Sequence, residues 1–160
     1  MATRARIAMR RADGKVESIY CHWDGYPEAP GAGATLFEHY KDPEKVQALM
    51  DLGDVSSLGR EIGEKHRFAA HNVILPGPGY ITDPECPLAK GWCCSYGRDR
   101  GESDCGKIIT DSLTCEDIED SIEYVYLFSP GNCTWTYYSK YGSLELLPLT
   151  AEVVCSNIER

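Results

Sequence analysis

A three-residue turn near the start of the chain is the feature that most constrains the fold. Ala12, Asp13 and Gly14 separate two segments in which apolar and polar side chains alternate. A three-residue hairpin loop is a type I turn closed by a glycine in the left-handed region, which here is Gly14. The facing pairs in this register are Arg11 with Lys15, Met9 with Glu17, Ile7 with Ile19, Ala5 with Cys21, and Thr3 with Trp23.

The register divides the side chains between the two faces of the hairpin, because neighbouring residues of a strand point to opposite sides. Cys21 and Trp23 belong to the mostly apolar face, which we expect to turn toward the core. The opposite face carries a group of polar and aromatic side chains: Arg4, Arg6, Tyr20 and His22.

Residues 19–28 (IYCHWDGYPE) hold the densest group of reactive side chains in the chain. They include three aromatic residues, a histidine, a thiol and two carboxylates. The first half is typical of a strand and the second half of a rigid loop. Binding groups often lie at such junctions, and we therefore interpret this stretch as one wall of a possible ligand site.

Residues 91–102 provide a candidate for the other wall. Glycines there let a backbone approach a ligand closely, and arginines suit bidentate capture of phosphate or carboxylate. The two walls predict an aromatic and cationic pocket for a nucleotide-like ligand, formed by Tyr20, His22, Trp23, Asp24, Tyr26, Tyr96, Arg98, Asp99, Arg100 and Glu102. Alternatively, Arg98, Asp99 and Arg100 form internal ion pairs that pin a loop, since no phosphate-binding motif is present.

Helix signals follow the first hairpin. A helix is predicted to begin near residue 31 and to bury Leu36, Phe37 and Tyr40. A second begins with Asp42 as N-cap and Pro43 at its first position. It buries Val46, Leu49 and Met50 and ends at Gly53. Residues 54–58 predict a capped turn or short helix.

The C-terminal part predicts a second hairpin, with strands near 122–128 and 133–138, an edge strand at 144–149 and a helix capped by Thr150. We therefore predict an α+β protein: a single two-layer domain over residues 1–160. Its antiparallel sheet comes from the N- and C-terminal hairpins, and helices pack on one face. Residues 60 to about 108 are expected to form a long irregular loop region.

The net charge of −9 is unevenly distributed. Residues 102–123 carry eight acidic side chains against Lys107, which is opposite to the balance of a nucleic-acid binder. We therefore expect no direct nucleic-acid binding. The run is interpreted as a solvated face or as a surface that imitates nucleic acid and binds a partner protein, with Glu116, Asp117, Glu119 and Asp120 as the partner-binding residues.

The thiols and histidines suggest several kinds of chemistry. The chain has eight cysteines, and reduced thiols are favoured over a metal site or disulfides. Cys21 or Cys93 with His22 or His66 suggests a thiol enzyme. His22 with Asp24 suggests an acid–base pair, or metal ligands with His39 or His66. No established hydrolase or protease motif supports these options, so we expect a non-enzymatic protein without metal or cofactor.

The sequence contains no secretory signal pattern and no apolar run of membrane-spanning length. We therefore expect no membrane partner and a cytoplasmic location.

Five blocks in fixed order carry a resemblance: IYCHWDGYPE at 19–28, LGDVSSL at 52–58, GWC at 91–93, YGRDRGE at 96–102 and EYVYLF at 123–128. In combination they resemble a widespread set of small bacteriophage and prophage proteins of unassigned function. Residues 68–90 look like an insertion relative to that pattern. The resemblance implies a phage context and supplies no catalytic residues.

Small acidic phage proteins without enzyme motifs often bind host machinery. The main hypothesis is therefore a non-enzymatic phage accessory protein that binds and inhibits a host defence component, as an anti-CRISPR-like or other anti-defence factor. The first alternative is a small-molecule binder that sequesters a nucleotide-like signal. The second is a thiol or His/Asp-dependent hydrolase.

Overall fold

A computed structural model of the chain describes residues 2–66, 72–74, 80–82, 90–111, 121–142 and 145–155. Within these ranges the strands are β1 (Ala5–Arg10), β2 (Val16–Cys21), β3 (Val55–Ser57), β4 (Asn72–Ile74), β5 (Tyr80–Thr82), β6 (Cys94–Ser95), β7 (Ile108–Thr110), β8 (Tyr124–Ser129), β9 (Thr134–Ser139) and β10 (Leu147–Pro148). The helices are α1 (Ala32–His39), α2 (Pro43–Leu52) and α3 (Ala151–Val154).

The first hairpin has the predicted turn and register. Gly14 adopts a φ of 86°, and the Arg11 amide donates to the Lys15 carbonyl at 2.8 Å. The strands pair through Ala5 with Cys21, Ile7 with Ile19, and Met9 with Glu17.

The predicted pair of Thr3 with Trp23 does not form, because β2 ends at Cys21. The Thr3 carbonyl instead accepts from the Gly25 amide, and the Trp23 amide donates to the Ser56 carbonyl. The prediction that Trp23 turns toward the core was wrong, since it is 43% exposed.

The main sheet has eight strands in mixed orientation. Its order is β10-β9-β8-β1-β2-β3-β6, with β7 paired to β2, while β4 and β5 form a separate ribbon. Both hairpins are antiparallel, but β1 pairs with β8, and β2 with β3, in parallel. The prediction of a wholly antiparallel sheet was therefore wrong. A long connection returns the chain to the same end of the sheet and permits parallel pairing, and α1 and α2 lie in the connection from β2 to β3.

The helix predictions around α2 are confirmed. The Asp42 side chain accepts from the Glu44 amide, Pro43 is the first helical residue, and Gly53 follows the last turn. The expectation of a turn or helix at 54–58 was wrong, because Val55 pairs with Cys21 as part of β3. Pairing with a neighbouring strand overrides the local capping signal at Asp54.

Residues of the sheet and of the helices share one hydrophobic core cluster. This cluster contains Ile7, Ile19 and Cys21 from the first hairpin, Leu36 and Tyr40 near α1, Val46, Leu49 and Met50 from α2, and Tyr126, Phe128 and Trp135 from the second hairpin. Smaller clusters contain Ala8, Val16 and Leu127, and Ile122, Val125 and Tyr138 with Tyr20 against them.

Candidate functional site

The end of β2 places the Trp23 side chain at the surface. After Cys21 the chain continues beside β3, with the His22 amide donating to the Val55 carbonyl at 3.1 Å and the Trp23 amide to the Ser56 carbonyl at 3.0 Å. Asp24 then adopts a φ of 55°, and its left-handed backbone turns the chain toward α1. Trp23 is left exposed where strand becomes loop.

Tyr20 and His22 form a hydrogen-bonded pair on the face opposite the main core. Tyr20 Oη lies 2.7 Å from His22 Nδ1, and the charge of Arg4 acts on the Tyr20 side chain. Burial raises the pKa of Tyr20, although Arg4 opposes the shift. Burial, and then the charge of Arg4, lower the pKa of His22. His22 is therefore mainly neutral at pH 7, and its Nδ1 shares a hydrogen bond with the Tyr20 hydroxyl.

Trp23 extends this pair outward. The rings of His22 and Trp23 meet edge to face, with centroids 4.8 Å apart and an interplanar angle of 90°. An edge-to-face contact orients both rings. Trp23 is therefore an exposed aromatic side chain that rests on a fixed support.

The second predicted wall meets the first through the segment around β3. The Tyr96 amide donates to the Asp54 carbonyl at 3.1 Å. The Arg100 guanidinium lies 6.0 Å from the centre of the Tyr96 ring, and its Nε is 3.1 Å from a Glu102 oxygen. We call Arg4, Tyr20, His22, Trp23, Tyr96 and Arg100 the aromatic–arginine surface.

Asp54 links the two walls, and sequence reasoning missed this role. Its Oδ1 accepts from the Tyr20 amide at 2.8 Å, while its carbonyl accepts from Tyr96. Burial raises the pKa of Asp54, against the lowering effects of the Tyr20 amide and the charge of Arg6. The only local signal was a capping residue after Gly53, which does not identify a strand partner distant in sequence.

Arg98 and Asp99 have the geometry of the alternative interpretation, an internal ion pair that pins a loop. Arg98 Nε and Nη2 lie 2.9 and 3.1 Å from the two Asp99 oxygens. The guanidinium also donates to the Ile62, Gly63 and Cys93 carbonyls. Asp99 accepts in addition from the Ser95 and His66 amides. Arg98 thus ties residues 62–66 to β6, and its donors are committed within the protein.

Asp24, Tyr26 and Glu102 stand outside the aromatic–arginine surface. Tyr26 Oη donates to Asp24 Oδ1 at 3.4 Å, and the Tyr26 ring lies against Gly31 at the start of α1. Glu102 is exposed and borders the surface, where its side chain pairs with Arg100 and its amide donates to the Tyr96 carbonyl at 3.0 Å. Of the predicted ligand residues, the structure therefore brings together Tyr20, His22, Trp23, Tyr96 and Arg100.

A possible metal cluster consists of His66, Cys94 and Asp99, whose ligand atoms all lie within 4.8 Å of one another. Both Asp99 oxygens already accept from Arg98, whose positive charge would repel a cation. Burial raises the pKa of Cys94 to about 11, which disfavours the thiolate that binds metals. The cluster therefore fits a structural hydrogen-bond network better than a metal centre.

Among the described residues, the groups proposed for a thiol enzyme or an acid–base pair do not meet in one site. Cys21 is fully buried, and burial raises its pKa to about 12. Burial also raises the pKa of Cys93. His22 follows Cys21 in the chain but turns to Tyr20, while Asp24 is bonded to Tyr26. A nucleophile needs a base within hydrogen-bond reach, and the described contacts of these groups do not provide one.

The six described cysteines are free thiols, of which Cys21, Cys93 and Cys94 are buried. The predicted partner-binding residues Glu116, Asp117, Glu119 and Asp120 lie outside the described residues. In the ranges that the structure covers, no helix has the length and apolar character needed to cross a membrane.

Comparisons with protein-family models, curated proteins and solved structures gave no match.

Proposed function

We propose that this protein is a non-enzymatic phage accessory protein that binds a host protein through the aromatic–arginine surface and inhibits a host defence component. The observation that carries the proposal is the 43% exposure of Trp23, next to a Tyr–His pair that supports it. Tryptophan, tyrosine and arginine dominate the energetically important positions of protein interfaces.

The aromatic–arginine surface is held in place by hydrogen bonds, which also favours binding of a partner protein. Tyr20 and His22 are joined at 2.7 Å, and the backbones of Trp23 and Tyr96 are held by β3 and Asp54. Side chains held in place lose little conformational entropy when a partner binds, which favours affinity. The whole protein is acidic, with a net charge of −9, whereas this surface contains the basic residues Arg4 and Arg100. The surface would therefore favour a partner with mixed polar and apolar character.

We also propose that the protein acts in the host cytoplasm and that it is a two-layer α+β domain with helices on one face of the sheet. The shared core cluster of Leu36 and Leu49 with Ile7 and Ile19 supports the two-layer arrangement.

The test compares Trp23→Ala with Leu147→Ala, since the two side chains are 43% and 42% exposed and Leu147 lies on the edge strand β10. The tagged proteins are expressed in a host with an active defence system, and phage plating and co-purified host proteins are measured. We expect the wild type and Leu147→Ala to restore plating and retain a host protein, and Trp23→Ala to lose both. Equal activity of Trp23→Ala and the wild type would remove the support for this surface.

A second candidate is a binder of nucleotide-like signals, favoured by the position of Arg100 over the Tyr96 ring and by the charge of Arg4 acting on Tyr20. Aromatic rings stack on bases and arginines bind phosphates. A thermal shift assay against a nucleotide panel tests this candidate: we expect stabilisation of several degrees that is lost in Arg100→Ala. A flat panel with the wild type would exclude the tested nucleotides.

A further inference from the structure

The second half of the 19–28 stretch borders a separate cleft. It is lined by Pro27 and Glu28, by Tyr124, Tyr137 and Ser139 of the second hairpin, and by Glu152 and Val153 of α3. We call the Tyr124 and Tyr137 rings its floor. The volume is about 430 Å³, within the range of small-molecule sites.

This cleft lies on the opposite face of the sheet from Tyr20. In the parallel register Tyr124 faces Ala5 and Tyr126 faces Ile7, both on the side of the main core, and Tyr137 faces Tyr126. Tyr20 faces Arg6 on the other side. The cleft is therefore distinct from the aromatic–arginine surface.

Backbone hydrogen bonds connect the segments that line the cleft. The Ala29 amide donates to the Val154 carbonyl at 2.9 Å, which ties the loop after Glu28 to α3. The Leu149 amide donates to the Trp135 carbonyl at 3.0 Å, which ties the segment before α3 to β9. The cleft is thus shaped by main-chain contacts and does not depend on surface side chains alone.

The aromatic floor is ordered by neighbouring rings. Tyr137 stacks on Tyr126 with centroids 6.3 Å apart, and Tyr126 Oη donates to the Gly25 carbonyl at 2.6 Å. Tyr124 meets Tyr141 edge to face, and Tyr141 donates to Glu123. The faces of such rings carry negative potential and attract cations.

The carboxylates that line the cleft also favour a cationic ligand. Glu28 is only 4% exposed, and Glu152 contributes a second carboxylate at the rim. Burial, and then the charge of Glu28, raise the pKa of Tyr137.

We propose that this cleft binds the ammonium group of an organic cation, with Glu28 and Glu152 as charge partners and the rings of Tyr124 and Tyr137 as the floor. Carboxylates give charge-assisted hydrogen bonds to an ammonium, and aromatic faces hold its alkyl and N–H groups. Two carboxylates disfavour anions such as nucleotides. The ammonium belongs to a free amine or to a lysine side chain of a protein. This inference does not rest on the proposed function.

Isothermal titration calorimetry with the full chain tests the proposal, using putrescine as the free amine, N-acetyl-lysine amide as the side-chain probe and 1,4-butanediol as the neutral control. The variants are Glu28→Gln and Glu152→Gln, with Glu38→Gln as the matched control because Glu38 is an exposed carboxylate on α1. Circular dichroism checks folding, and the exposed Glu152 keeps the test valid if the variant at buried Glu28 unfolds.

We expect saturable binding of at least one ammonium probe and none of the diol, with affinity weakened about tenfold in Glu28→Gln and severalfold in Glu152→Gln. Glu38→Gln should bind as the wild type does. Preference for putrescine would support a free amine as ligand, and preference for the lysine probe a protein side chain. Absence of binding by both probes, or equal affinity in the folded charge variants, would overturn the proposal. Trp23→Ala should retain binding, so failure at one surface is distinguishable from failure at the other.

Discussion

Tyr20 Oη lies 2.7 Å from Nδ1 of His22, and this contact joins β2 to the strand end that exposes Trp23. Arg4 acts on the same tyrosine, opposing the rise in the Tyr20 pKa that burial causes. The His22 ring in turn meets the Trp23 ring edge to face, with centroids 4.8 Å apart. The order of the aromatic–arginine surface therefore depends on the position of one histidine ring.

Protonation of His22 should destabilise the protein. Its pKa lies below the ordinary value of 6.5 because burial and the charge of Arg4 disfavour the cation. The unfolded chain therefore binds more protons as pH falls from 6.5 through the folded-state pKa, and stability decreases over that window. NMR titration should give a pKa below 6.5 that rises in Arg4→Met, and urea unfolding should show lower stability at pH 5.5 than at pH 7.5. A smaller loss in His22→Gln would assign the effect to this residue, whereas an unshifted titration would contradict it.

Arg98 should contribute far more to stability than Arg100. Arg98 donates to buried Asp99 and to three carbonyls, while the ion pair of Arg100 with Glu102 is exposed. Loss of the partner of a buried carboxylate costs about 3 kcal/mol, and an exposed pair contributes about 0.5 kcal/mol. We expect the free energies of unfolding of Arg98→Ala and Arg100→Ala, measured in urea, to differ accordingly. Similar values for the two would be inconsistent with the pinned loop.

The buried carboxylate of Glu17 should anchor the first hairpin to its neighbours. Glu17 is 4% exposed and bonds Arg11 at 3.3 Å, Gln47 at 3.0 Å and Lys107 at 2.9 Å. We expect Glu17→Ala to lower the free energy of unfolding by about 2 kcal/mol, because three donors lose their acceptor. Glu102→Ala, at an exposed ion pair, serves as the control and should change it by less than about 0.5 kcal/mol.

Two glycines should respond differently to alanine. A Cβ on Gly14 would meet nothing within 4 Å, so Gly14→Ala costs only its φ of 86°, about 1 kcal/mol. A Cβ on Gly25 would lie 2.6 Å from the Thr3 carbonyl oxygen and 2.8 Å from the Ala5 Cβ. We expect Gly25→Ala to lose more stability, about 3 kcal/mol, because backbone must move. Thermal unfolding of the two variants measures the difference, and the reverse order would refute the close approach at Gly25.

Short-range patterns predicted the local elements well. The turn at Gly14 and the alternation of side chains determined the register of β1 and β2, and Asp42, Pro43 and Gly53 marked the ends of α2. The second hairpin followed from its β-branched and aromatic residues. Each of these features is specified by residues close together in the chain, and so no distant partner had to be known.

The candidate sites depended on distant partners. The sequence could not show that β3 lies parallel to β2, that Asp54 joins Tyr20 to Tyr96, or that Arg98 faces the carbonyls of residues 62 and 63. Trp23 was expected inside because strand alternation was extended two residues too far. The tertiary structure also divided residues 19–28 between two faces of the sheet, with Tyr20 on one side and Glu28 on the other. Composition and spacing determine which groups a stretch contains, but strand pairing between remote segments decides which of them meet, because its contacts are nonlocal.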